Sequence, residues 1–142
     1  MILISNSTPQ TLAPGQSITF DKVLLKSGDG ECCHNNAART LTISKIRRGG
    51  IYEISFSANI AVTTAAEGEL SIQVDGVTLP ETTALFLPAV ADTEFQAIGG
   101  RTAVFNRCNE STPVTVTNTG TSTIIVDAEA SLLIHRVSGG GN

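Results

Sequence analysis

Cys32, Cys33, His34 and Cys108 are the side chains of this 142-residue chain whose types could do chemistry together, as a disulfide, a thiolate metal centre or a thiol nucleophile. Each option makes its own geometric demand. A structural zinc site takes four ligands, usually with Cys-x-x-Cys spacing, which adjacent cysteines do not supply, so the site would have to be shared between subunits. If residues 31–35 form a strand, Cys32 and Cys33 point to opposite faces, and a bridge between the two is strained. Three thiols cannot all pair within one chain, whereas a link from Cys32 or Cys33 to Cys108 is open. A nucleophilic thiol needs a base and a group to orient it, and on a strand His34 points away from Cys33. Free thiols, a disulfide and a metal site thus stay open, with Cys33 and Cys108 as the disulfide pair; no catalytic residue, metal ligand or cofactor is assigned, and an enzyme is not expected.

The remaining titratable groups form no pattern of their own. Asp75, Glu81, Asp92, Glu94, Glu110, Asp127 and Glu129 include no Asp-x-Asp-x-Asp run of the kind a calcium loop uses. His135 reads as a solvated or interface histidine beside Arg136. Gly49-Gly50 and Gly99-Gly100 lie between strand patterns and open no helix, so they make no phosphate cradle. The Asn-x-Ser/Thr triplets at Asn6 and Asn109 carry little weight beside an N-terminus that lacks a signal-peptide pattern.

These groups must be carried by strands. From Ile51 to Val62 the chain alternates, with Tyr52, Ile54, Phe56, Ala58, Ile60 and Val62 on one face and Glu53, Ser55, Ser57 and Asn59 on the other. This is a central strand of an antiparallel sheet with one face buried. Thr, Ser, Ile and Val dominate elsewhere, glycines recur at turn spacing, and no apolar stretch has helical period, so the chain is all-β. Aromatic residues are scarce (4%) and Trp is absent, which makes the core aliphatic.

Residues 2–5 read as a short extended arm, and residues 8–15, with Pro9, Pro14 and Gly15, as a turn before a strand over 17–25. Further strands are expected over 31–35, over 40–46 with Leu41 and Ile43 inward, and over 69–79 with Leu70, Ile72 and Val74 inward. Asp75-Gly76 is the strongest hairpin signal in the chain. Residues 80–91 read as a loop in which Phe86 and its leucine neighbours plug a sheet edge. Residues 93–106 follow as a strand broken at Gly99-Gly100, then strands over 113–117 and 122–127. A last strand has Ala130, Leu132 and Ile134 alternating with Ser131, Leu133 and His135. One domain over 16–137, an arm over 1–15 and a Gly-rich tail over 138–142 complete the organisation, with eight to ten strands at sandwich or jelly-roll spacing.

The charged fraction of 15% is low beside a typical value of about a quarter. Subunits of such a chain could meet without desolvating many ions, so an oligomer is expected. A net charge of −4 with scattered cations argues against nucleic acid, and Lys45-Ile46-Arg47-Arg48 reads as solvated turn charge. The N-terminus lacks a basic region and an apolar run long enough for export, so neither secretion by signal peptide nor membrane insertion is expected.

The pattern Ile46-x-x-x-Gly50-Ile51-Tyr52-x-x-x-x-x-Ala58-x-Ile60 resembles the Gly-x-Tyr signature of the C1q/TNF-like trimeric jelly rolls. The closing run Ala-Ser-Leu-Leu-Ile-His-Arg-Val, residues 130–137, is similar to the last strand of C1q-like domains in small phage and prophage proteins of Firmicutes and in spore-surface collagen-like proteins. The resemblance covers residues 15–137. It implies a homotrimer whose interface takes in Tyr52 and Phe56, although alternation alone makes Tyr52 simply core; Leu133, outward on the last strand, also suits an interface. Without a Gly-x-y stalk, a stand-alone virion protein is the expectation: a capsid decoration or head-fibre trimer docking on a major capsid protein through Ile2, Leu3 and Ile4 of the arm. A tail or surface module binding a host glycan or protein is the alternative.

Overall fold

The computed structural model describes residues 1–26, 32–33, 44–46, 49–107 and 112–138. Among them are thirteen strands: β1 (Ile2–Ser5), β2 (Gln10–Leu12), β3 (Lys22–Lys26), β4 (Cys32–Cys33), β5 (Ser44–Ile46), β6 (Gly50–Val62), β7 (Gly68–Val74), β8 (Val77–Thr78), β9 (Ala84–Phe86), β10 (Gln96–Asn106), β11 (Thr112–Thr117), β12 (Ile124–Val126) and β13 (Ser131–Ser138). A single 3-10 turn, Pro80–Thr82, accompanies them. The number exceeds the eight to ten expected because several strands are only two or three residues long.

Two antiparallel sheets pack face to face. In the first, the order is β2-β12-β6-β13-β1-β3, with β10 on the free edge of β6; in the second it is β4-β5-β11-β7-β8, with β9 also on β7. β6 is the spine, because β12 and β13 follow one of its edges end to end while β10 pairs along the other from Gly50 to Ile60. Its buried and exposed residues alternate almost without a break, as period two requires. Tyr52, Ile54, Ile60, Leu132 and Ile134 from the first sheet meet Leu70, Ile72, Val114 and Val116 from the second, all 1% exposed or less. Burial of each such side chain contributes about 1.5–3 kcal/mol.

The hairpin at Asp75-Gly76 forms as expected: both residues have positive φ, 54° and 77°, which a two-residue loop matched to the twist of its strands demands. Elsewhere the structure corrects the expectation. Residues 1–15 are no free arm, because β1 inserts between β13 and β3, β2 pairs with β12, and Ile2 and Ile4 are wholly buried. An isolated strand edge and two exposed isoleucines would be unfavourable, and the sheet removes both. β10 runs unbroken through Gly99-Gly100. Residues 80–91, expected as a loop, contain the 3-10 turn and β9; Phe86 is half-buried against the core, but Leu85 and Leu87 stand exposed.

Two buried asparagines hold irregular backbone. Asn6, 1% exposed, donates to the carbonyls of Thr8 and Asp127 and accepts the Ala130 N–H at 2.8 Å, so its amide is committed to the junction between β12 and β13. Asn118, fully buried, donates to Leu12 and Ser122 and accepts the Gly120 N–H. Both satisfy backbone groups that the ladders leave over.

Candidate assembly face

The outward face of the first sheet is composed in rows set by strand register. Gly99, Ser57, Ser131, Ser5 and Lys22 form one row; Arg101, Ser55, Leu133, Leu3 and Leu25 the next; Ala103, Glu53 and His135 a third; Phe105 and Ile51 a fourth. The face thus grades from small and polar to large and apolar. Phe105 is 67% exposed, and Leu25, Ile51 and Val137 are each at least 40% exposed. Glu53, Arg101 and His135 are ionisable side chains in its middle rows, and Lys22, opposite Ser5 at the β3 edge, is paired with Glu129 at 2.8 Å. Between Glu53 and Arg101 lies a hollow of about 320 Å³, lined by Glu53, Ser55, Arg101, Ala103 and Leu133. Small side chains at Ser55 and Ala103 leave that space open.

Exposed apolar residues grouped on one sheet face are characteristic of interaction surfaces. Leu133 is outward here, as the alternation of the last strand implies. Tyr52 and Phe56 are not part of it: they point between the sheets, 0% and 4% exposed, and so belong to the subunit core. The register explains this, since an inward residue on β6 is separated from any neighbouring subunit by the thickness of the sheet. Of the residues assigned to a docking arm, Ile2 and Ile4 are core, and Leu3 alone faces outward, beside Leu133 and Leu25. Phe105 and Arg101 escaped the reading of the sequence because Gly99-Gly100 was taken to interrupt their strand; period two from Ala97 to Phe105 is the signal that would have found them.

Two other surfaces stand out. A groove of about 610 Å³ lies between β2 and residues 16–21, lined by Thr8, Gln10, Thr11, Ser17, Thr19 and Asp21. The Gln10 amide spans it, accepting the N–H of Thr19 and donating to its carbonyl. Asp21 accepts hydrogen bonds from both the hydroxyl and the N–H of Ser7, which hold its carboxyl below the ordinary carboxylate range against a smaller opposing effect of desolvation. The second surface is the crest formed by Leu85, Leu87, Val90 and Phe95, stiffened where the Glu94 carboxylate accepts the N–H groups of Ala89 and Val90.

The proposed Cys33–Cys108 bridge lies outside the described residues. Among the described residues no cluster of three His, Cys, Asp or Glu side chains is arranged for a metal, and no helix is long and apolar enough to cross a membrane.

Solved structures similar to this chain match it over nearly its full length. The globular domain of zebrafish complement 1qA superposes with a TM-score of 0.68 at 11% identity, covering 96% of this chain and 95% of that one. The fold is the C1q/TNF jelly roll. Eiger TNF from S. frugiperda gives a TM-score of 0.69 at 8% identity over 99% of this chain and 95% of its own. Murine APRIL gives 0.54 at 9% identity, over 94% and 98%. No protein-family model and no curated protein matches the sequence.

Proposed function

We propose that this jelly roll is a non-enzymatic structural module that works as a homotrimer on a phage virion, as a capsid decoration or head-fibre protein. The observation that carries the oligomer is the outward face of the first sheet, where Phe105 and Ile51 are exposed side by side on β10 and β6 and Leu25 is exposed at the opposite edge on β3. Such a face is stable in water when a second copy covers it. The virion assignment draws on the resemblance of residues 130–137 to the closing strand of small phage proteins. Contact with a capsid then falls to surface side chains such as those of the Leu87 crest, since Ile2 and Ile4 are spent in the core.

The alternative, an adhesion module for a host glycan or protein, is favoured by the polar groove between β2 and residues 16–21, whose hydroxyl and amide side chains suit a polyhydroxylated ligand. One experiment separates the two. The tagged chain is incubated with purified phage heads and, in parallel, with intact host cells, and each mixture is sedimented. Saturable binding to heads at a fixed number of trimers per particle supports the virion role; binding to cells alone, competed by soluble glycan, supports adhesion instead.

A further inference from the structure

We propose that assembly pairs Glu53 of one copy with Arg101 of the next. This rests on the homotrimer reading and specifies what joins its subunits. Glu53 and Arg101 are outward on adjacent strands, β6 and β10, as diagonal neighbours: Arg101 stands opposite Ser55, and Glu53 opposite Ala103. Diagonal positions on a sheet lie roughly 7–8 Å apart, within reach of long side chains. Nevertheless, among the described residues neither Glu53 nor Arg101 makes an ion pair, whereas the exposed Lys22 and Glu129 do so at 2.8 Å.

Covering the face with a second copy takes both charges out of water. An uncompensated buried charge is strongly unfavourable, so each must find a partner in the assembly. The face supplies one carboxylate and one guanidinium, in equal number on every copy, and the planar guanidinium can grip a carboxylate with two parallel hydrogen bonds. His135, directly across from Glu53 on β13, is the other ionisable group facing it. The hollow between the two charges, with Ser55 and Ala103 at its sides and Leu133 as a wall, leaves room for a side chain from a neighbouring copy. In a three-fold assembly the contact runs head to tail, Glu53 of each copy meeting Arg101 of the next. Three such contacts close a three-fold ring in which every Glu53 and every Arg101 is paired.

Charge reversal tests the pair. Glu53→Arg and Arg101→Glu are each purified, alongside the double variant, and their masses are measured by light scattering over a concentration series. Both positions are on an exposed face, and circular dichroism verifies that each variant is folded. Each single reversal places like charges together and is expected to raise the concentration at half-dissociation by at least roughly tenfold. The double variant exchanges the partners and is expected to return to within roughly threefold of the parent. Single variants that stay assembled like the parent, or a double variant as dissociated as either single one, would overturn the pairing while leaving the homotrimer standing. A parent chain that is monomeric throughout would remove the homotrimer, and the pairing with it.

Discussion

Asn6 accepts the N–H of Ala130 at 2.8 Å across 124 residues of sequence, and through this contact the start of the chain fixes the junction that lets β12 and β13 follow one edge of β6. Replacing Asn6 by Ala leaves the buried Ala130 N–H without its acceptor and frees the part-buried carbonyls of Thr8 and Asp127. The expected loss is about 2 kcal/mol, read as a lower midpoint in denaturant at unchanged slope. An unchanged midpoint would mean that water substitutes for the amide.

Deletion of residues 1–13 should abolish cooperative unfolding. It removes β1 and β2 and, with them, Ile2, Ile4 and Leu12, none more than 4% exposed. At about 1.5–3 kcal/mol each, before the lost ladder bonds are counted, these side chains account for much of the 5–15 kcal/mol that a domain typically has. A truncated chain with a sharp thermal transition would contradict the placement of β1 in the sheet.

Gly100 lies where β10 crosses the 3-10 turn, and a Cβ there would stand 2.3 Å from the carbonyl oxygen of Thr82. Backbone cannot rotate away as a side chain can. Gly100→Ala is therefore expected to cost about 1–3 kcal/mol, whereas alanine at Gly99, which would meet the Phe56 carbonyl oxygen at 2.7 Å, strains the β6 pairing itself. Thermal melts of the two variants measure both effects; a Gly100→Ala melt equal to that of the parent would show that the turn is free to move.

The hydroxyl and N–H of Ser7 lower the Asp21 pKa, so the ionised form is favoured in the folded state. The sign follows directly: this contribution to stability is complete above the unfolded carboxyl value, about 3.9, and is lost as pH falls through the lower folded value. Ser7→Ala keeps the N–H but removes the hydroxyl. The Asp21 carboxyl, followed by NMR titration, should then titrate at higher pH; a titration that does not move would assign the shift to the backbone contacts.

The spine of this fold could be read from its residues alone. β6 and β13 alternate over most of their length because each has one buried face, and Asp75-Gly76 is a turn whose backbone demand is written in its residue types. The first residues could not be read so. Ile2 and Ile4 are core because β13, more than a hundred residues away, pairs with them, and nothing local distinguishes such a run from a free arm. Gly99-Gly100 misled for a related reason: a glycine pair commonly breaks a strand, but here it admits the close approach of Thr82 and Phe56. Tyr52 and Phe56 belong to the core of the chain, and the outward face of their sheet is carried instead by residues such as Phe105 and Arg101 of β10 and Leu133 of β13. The roles of Asn6 and Asn118 come wholly from distant backbone, so their sequence neighbours hold no trace of them.

The measurement that bears most directly on this account is the mass in solution of the purified chain, alongside a variant in which Phe105 and Ile51 are both replaced by Ser. One chain is 14.8 kDa. A parent of about three times that mass, with a folded double variant of one-chain mass, is the predicted result, since the exposed end of the sheet face would have lost its apolar contacts. A folded parent of one-chain mass at every concentration would contradict it, leaving that face uncovered in water and the chain a solitary jelly roll.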